Sequence, residues 1–138
     1  MVHIVGAGPG ATDLITVRGL RLLQQADVVV YAGTLVNREL LRETKPGALL
    51  YDSGTMTLEE VMEVIGKAEA RGDSIVRLHT GDPSLYGAIR EQMDQMEKAG
   101  IPYAICPGVS SFCGAAASLH MEYTLPGVSQ SLVITRMA

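Results

Sequence analysis

The chain has no tryptophan, one phenylalanine and only two cysteines in its 138 residues, and neither sign of charge dominates strongly. With no indole rings and a single Phe, a base-stacking platform for single-stranded nucleic acid has little to be built from. The 11 Lys and Arg are scattered and face 15 Asp and Glu, for a net charge of −4, so no basic stripe awaits a phosphate backbone. Cys106 and Cys113 form no CxxC pair, and His3, His79 and His120 show no ligand spacing. That argues against a metal site and leaves two reduced, partly buried thiols of a cytosolic protein. A disulfide has no support in the sequence. No apolar run approaches the length of a membrane span, and the N-terminus lacks the charged start and apolar stretch of a signal peptide. The expectation is a soluble cytoplasmic protein with neither a nucleic-acid nor a membrane partner.

What is present is a composition for a packed core: 47% hydrophobic and 19% charged residues, in a length that suits one compact domain. Short apolar runs read as buried strands at residues 2–5, 27–31 (DVVVY), 74–79 (SIVRLH) and 102–106, with a brief one at 49–51 and a last one at 132–136. Helical patterns lie between them. Asp13 is placed to cap a helix over 16–25, with Leu20, Leu22 and Leu23 inward, and 37–44 reads as a short helix ended by Lys45-Pro46-Gly47. Thr57-Leu58-Glu59-Glu60 is a capping box, in which the Thr hydroxyl accepts from the Glu60 N–H and Glu60 reaches back; a helix then runs to Arg71-Gly72. Further helices are expected over 88–99 and, capped by Ser110 or Ser111, on to Leu119. Strands alternating with helices imply an α/β fold: a mostly parallel open sheet of about five strands with helices on both faces.

In such a sheet, ligands bind beyond the carboxyl ends of the strands. Four stretches fall there: GAGPGA (6–11), Tyr31-Ala32-Gly33-Thr34, HTGDPSLYG (79–87) and Pro107-Gly108-Val109-Ser110-Ser111. GAGPGA fits the dinucleotide fingerprint G-x-G-x-x-G/A, but two residues count against it. A phosphate cradle works through backbone N–H groups, and Pro9 has none. The second strand should also end in an acid for the ribose, yet its end is Tyr31-Ala32-Gly33, and the nearby acid, Asp27, starts it. A tight strand-to-helix turn explains the glycines better. In HTGDPSLYG, Gly81 lets backbone approach a ligand, and Asp82 either accepts from ribose hydroxyls or a ligand amine, or caps the turn before Pro83. Tyr86 fits a partly buried aromatic with a wet hydroxyl.

The blocks VGAGPG, TVRGLRLLQQADVVVYAG, HTGDPSLYGAIREQM, CPGVSSF and LPGVSQSLVITR together resemble the tetrapyrrole methylases, over essentially the whole chain. YAGTLVN, HTGDPSLYG and TLPGVSQS are most similar to the branch that methylates C11 of precorrin-4 or cobalt-precorrin-4 in cobalamin biosynthesis. The resemblance implies a two-domain enzyme, with this chain as the amino-terminal domain (1–138) and the second domain absent. The whole enzyme would be a homodimer that moves a methyl group from S-adenosylmethionine to a ring carbon of a tetrapyrrole and releases S-adenosylhomocysteine. Carried over residue by residue, Pro9 matches a loop proline beside the cofactor. Thr80, Gly81 and Asp82 match the cofactor-binding turn, Leu85 a contact just beyond it, and Ser110 and Ser111 the pair after the PG turn; Tyr86 follows in the same loop. For the serines, helix capping is a second role that can coexist with the first.

Methyl transfer needs a carbon nucleophile in line with the sulfonium methyl, and the protein mostly supplies positioning. The sequence identifies no catalytic base. Asp52, His79 and Glu122 are candidates, each with an ordinary structural reading. Arg18, Arg77 and Arg90 would suit the macrocycle's carboxylates at a cleft mouth, or lie on a solvated surface. Two other readings stand beside the first: a related methylase acting on uroporphyrinogen III or a diphthamide precursor, and a non-catalytic dimerisation or regulatory module. The chain stops just after a strand-like run, at Arg136-Met137-Ala138, which leads us to expect a piece of a longer protein, inactive alone and prone to self-association through an uncovered apolar face.

Overall fold

In the computed structural model, which describes residues 1–137, the chain runs β1 (Val2–Gly6), α1 (Val17–Gln25), β2 (Val28–Tyr31), β3 (Leu49–Asp52), α2 (Leu58–Ala70), β4 (Ile75–His79), α3 (Ile89–Lys98), β5 (Tyr103–Cys106) and α4 (Ser111–Ser118). Single 3-10 turns occupy Thr12–Leu14, Gly33–Leu35 and Ser53–Thr55, and a longer one Arg38–Glu43. The strands form one all-parallel sheet in the order β3-β2-β4-β1-β5.

Side chains alternate between the two faces of each strand. Val2, Ile4, Val28, Val30 and Ile75 face α2 and α3, packing on Val61, Ile65, Ala68 and Met96. Val5, Val29, Val76 and Leu78 face the other way, onto Leu23 of α1 and Leu40 of the 3-10 stretch. The expected α/β sheet with helices on both faces is therefore the fold observed. Its central strands read as unbroken apolar runs because both faces are covered.

The capping box is half made. Thr57 accepts from the Glu60 N–H at 3.1 Å, and no bond from the Glu60 side chain back to Thr57 is seen. The α1 cap is Thr16, which accepts from Gly19 N–H at 3.0 Å; Asp13 lies in the preceding 3-10 turn and caps nothing. A hydroxyl one residue before the helix reaches its free N–H groups, whereas Asp13 is four residues before the first helical residue. The expected helix at 37–44 is a 3-10 stretch, capped by Asn37 accepting from Glu39 N–H at 3.1 Å.

The expected strand at 132–136 does not form. Apolar residues alone do not make a strand; the backbone must find a ladder partner. Here the segment instead lies against Tyr86, with the Arg136 guanidinium 5.8 Å from the ring centroid. Val133 is 79% exposed, as are Leu119 (69%) and Val128 (76%). Of the two cysteines, Cys106 is buried and Cys113 exposed, and both are free thiols. No helix among the described residues is long and apolar enough to cross a membrane.

Candidate functional site

The loop after β2 leads outward to β3, while the loop after β4 crosses β1 to reach β5. These opposite directions open a crevice at the carboxyl edge of the sheet, where such folds place their ligands. An open cleft of about 600 Å³ lies there, with Leu35 from the β2 loop, Thr80, Gly81 and Asp82 after β4, Leu85 and Tyr86 before α3, and Ser110, Ser111 and Phe112 at the start of α4. Ile134, Thr135 and Arg136 border it on the remaining side.

Three glycines meet at the strand ends beside it, and Gly81 among them lines the cleft. Gly6 ends β1, Gly81 follows β4 and Gly108 follows β5. A Cβ on Gly108 would fall 2.2 Å from the Gly81 carbonyl oxygen, and one on Gly6 would fall 2.5 Å from the same atom. Gly81 itself has φ +59°, a left-handed conformation that glycine adopts without strain. The Gly81 N–H donates to the Gly8 carbonyl at 2.8 Å, joining the GAGPGA loop to the β4 loop. GAGPGA is thus a backbone-on-backbone packing motif, and its glycines permit close approach between loops.

Asp82 fastens the third loop. Its Oδ1 accepts from the Gly108 N–H at 2.7 Å, and its Oδ2 accepts from the Ser84 N–H at 3.0 Å and from the Ser84 hydroxyl. Partial burial pushes the carboxyl up. The Ser84 hydroxyl, the Gly108 N–H and the Ser84 N–H together outweigh this and hold it below the usual carboxylate range. With three bonds made, one acceptor site of the carboxylate, on Oδ1, is left free. The turn-capping role open in the sequence is observed, extended to a clamp across two loops. The Ser110 hydroxyl, at the N-cap position of α4, makes no capping bond, contrary to the capping role open to it.

The approach to α3 is strained. Tyr86 has φ 55° and Ala88 φ 52°, both left-handed, at a cost of ~1–2 kcal/mol each for L-residues. Between them, a Cβ on Gly87 would meet the Pro83 carbonyl oxygen at 2.2 Å. This turn puts Leu85 and Tyr86, 38% and 56% exposed, at the cleft.

Seven of the eight residues singled out from the sequence meet in this one cleft: Thr80, Gly81, Asp82, Leu85, Tyr86, Ser110 and Ser111. Pro9 does not join them. It lines a neighbouring cleft of about 260 Å³ with Leu14, Gly114 and Ser118, and only Ser111 borders both. A Cβ on Gly114 would fall 2.8 Å from the Pro9 Cβ, so the ring seats against α4 where that helix lacks a side chain. Leu35, Phe112 and the 134–136 segment were not singled out. Leu35 and Phe112 each follow a flagged strand-end stretch directly, whereas no local signal places residues 134–136 at the cleft.

The candidate bases lie apart from the cleft lining. Asp52 pairs with Arg38 at 3.1 Å and accepts from the Gly54 N–H at 2.8 Å. His79 is 5% exposed, and its Nε2 has no hydrogen-bond partner. Burial, and secondarily the Arg77 charge, push its pKa down to about 4, so the imidazole is neutral at pH 7. Arg77 is 7% exposed within β4 and therefore stands at no cleft mouth; burial lowers its pKa to about 10. Arg90 is solvated on α3, 3.9 Å from Asp94.

Residues 1–138 match the family of tetrapyrrole (corrin/porphyrin) methylases. The chain is 55% identical to the cobalt-precorrin-4 C(11)-methyltransferase of Methanocaldococcus jannaschii, over 98% of this chain and 52% of that protein. A crystallographic cobalt precorrin-4 methyltransferase superposes with a TM-score of 0.92 at 48% identity, covering 94% of this chain and 54% of the other. A uroporphyrin-III C-methyltransferase from Thermus thermophilus, complexed with S-adenosylhomocysteine, superposes with a TM-score of 0.75 at 32% identity, covering 94% and 52%. The chain spans about half the length of the curated relatives it matches.

Proposed function

The chain belongs to the tetrapyrrole (corrin/porphyrin) methylases, and from that premise we propose that it forms the amino-terminal, donor-binding half of an S-adenosylmethionine-dependent enzyme that methylates C11 of precorrin-4 or cobalt-precorrin-4 in cobalamin biosynthesis. The observation that carries this reading is convergence. Residues from the separate stretches 80–86 and 110–111, matched to the family one by one, line a single cleft at the sheet's crevice. Its size lies within the range of small-molecule sites, ~300–1,000 Å³.

The residues present fit such a donor. Thr80, Ser110 and Ser111 offer hydroxyls for a ribose and an amino-acid moiety, while Leu35, Leu85 and Phe112 offer apolar surface for a purine. Gly81 lets the backbone approach closely. When bound, S-adenosylmethionine supplies an electrophilic methyl group on a good leaving group. The task left to the chain is orientation and exclusion of water, which together account for up to ~7–11 kcal/mol of rate enhancement. Asp82 contributes by fixing the loops that carry these contacts, and Pro9 by seating α4, whose first turn supplies Ser111 and Phe112. The corrinoid precursor would approach the open side of the cleft, with the second half of the enzyme completing its site. We read the whole protein as a cytoplasmic homodimer.

Calorimetric titration with S-adenosylhomocysteine of this chain joined to the second half of a relative tests the donor site. We expect one-to-one binding, abolished by Thr80→Trp, which fills the cleft from an exposed lip. Absence of heat with the folded, joined protein overturns the reading. A panel with labelled methyl donor, run on this chain joined to the second half of a relative, tests the acceptor. Methylation of uroporphyrinogen III in place of precorrin-4 would move the protein to the other branch.

A further inference from the structure

Arg77 is a polar exception in the middle of a strand whose other residues are packed apolar side chains and a buried histidine. It shares the α2/α3 face of β4 with Ile75, and among the described residues no carboxylate pairs with it. Taking a guanidinium out of water without an anion is unfavourable, and an aliphatic residue would fill the same face without that cost. Its contacts show what it joins. Nη1 donates to the Val30 carbonyl of β2 at 3.2 Å, and Nε donates to Oε1 of Gln92 at 3.0 Å. Gln92, 6% exposed on α3, turns its other end outward, and Nε2 donates to the Ala88 carbonyl at 3.3 Å. The amide orientation is fixed by chemistry, because Arg77 can only donate and the Ala88 carbonyl can only accept.

The far end of this chain of bonds is the strained turn. Ala88 holds a left-handed conformation at the start of α3 with no side-chain cap. Left-handed non-glycine residues persist only where their surroundings over-determine them. Gln92 supplies a tie from within the helix, and Arg77 anchors Gln92 to the centre of the sheet.

We propose that Arg77 and Gln92 form a buried strut that holds the Tyr86-Gly87-Ala88 turn, with Tyr86 and Ala88 left-handed, and so positions Leu85 and Tyr86 in the cleft. Both are positioning residues; neither lines the cleft. The consequence for ligand affinity rests on the donor reading above, whereas the hold on the turn does not.

Gln92→Glu separates the two ends of the strut. It keeps an acceptor for Arg77 but sets a carboxylate oxygen against the Ala88 carbonyl, so the fold is retained while the turn is released. Chymotryptic cleavage after Tyr86, identified by mass spectrometry, reads the turn directly. We expect cleavage about ten-fold faster than in the unsubstituted chain, and S-adenosylhomocysteine affinity about ten-fold weaker, with the thermal midpoint unchanged. Arg77→Met with Gln92→Leu replaces the whole strut by apolar groups of similar size. This double variant should regain the midpoint lost by Gln92→Leu alone, since no buried polar group is left unpaired, yet remain rapidly cleaved after Tyr86. Cleavage at the unsubstituted rate in Gln92→Glu, or cleavage that merely follows the midpoint across the variants, overturns the proposal. If the unsubstituted protein, joined to the second half of a relative, gives no heat with S-adenosylhomocysteine, the donor reading fails while the cleavage result still decides the strut.

Discussion

At the amino ends of the strands, neighbours are joined by side-chain charges. Lys45 Nζ lies 2.5 Å from Asp27 before β2, Arg71 lies 2.8 Å from Asp73 before β4, and the N-terminal ammonium before β1 pairs with Glu69. At the carboxyl ends of β1, β4 and β5, backbone meets backbone. Gly6, Gly81 and Gly108 touch without side chains, and the one carboxylate among them, Asp82, binds N–H and hydroxyl groups instead of a cation. Exposed ion pairs are screened by solvent, cost side-chain entropy and contribute little. A glycine contact leaves no room even for a methyl group. The comparison teaches that the two ends tolerate change very differently: the amino edge accepts many residues, whereas the carboxyl edge, where the cleft lies, accepts few.

The sharpest way to break this contrast is a single methyl. Gly108→Ala puts a Cβ 2.2 Å from the Gly81 carbonyl oxygen and 2.8 Å from the Gly6 Cα, and neither atom belongs to a flexible side chain. Overpacking against backbone should cost about 3 kcal/mol or more, read as a lowered urea midpoint with an unchanged slope. A variant as stable as the parent would show that the three loops are free to separate.

A second test uses pH at the same edge. His79, the last residue of β4, is neutral in the fold, with its pKa pushed down to about 4. The unfolded chain takes up a proton near the ordinary value of ~6.5. Between these values the unfolded state binds more protons, so stability is full above about pH 6.5 and falls as the pH drops toward 4. Between pH 7 and pH 5 the loss should be on the order of 2 kcal/mol, and His79→Leu should remove most of it. An equal pH dependence in that variant would place the titrating group elsewhere.

The smallest effect is expected at the amino edge. Lys45→Ala removes the cation beside Asp27, whose carboxylate still accepts from the Ser74 N–H at 2.8 Å. The thermal midpoint should move by no more than about 2 °C at low salt, and less at high salt. A large drop would mean that the two edges are less different than their contacts imply.

Much of the sheet is legible because its cause is local. A strand such as Val28–Tyr31, covered on both faces, is apolar throughout, and Thr57 three residues before Glu60 announces α2 from the chemistry of one hydroxyl and one N–H. Where two local signals compete, the sequence alone does not rank them, as Thr16 and Asp13 show before α1. Residues 132–136 carry a strand's composition, but a strand also needs a partner, and pairing is a property of the assembled sheet.

The cleft divides along the same line. By itself, the sequence determined the α/β order of elements, the loops that end each strand, and a resemblance that marked the residues now gathered at the crevice. Only the tertiary structure decided that Pro9 turns to α4, that Asp82 spends its carboxylate on Gly108 and Ser84, and that Arg77 is an internal strut. The reason is physical. Propensity and capping act over a few residues along the chain, whereas these three assignments depend on which atoms meet across loops and elements up to about a hundred residues apart, and distance along a sequence carries no record of approach in space.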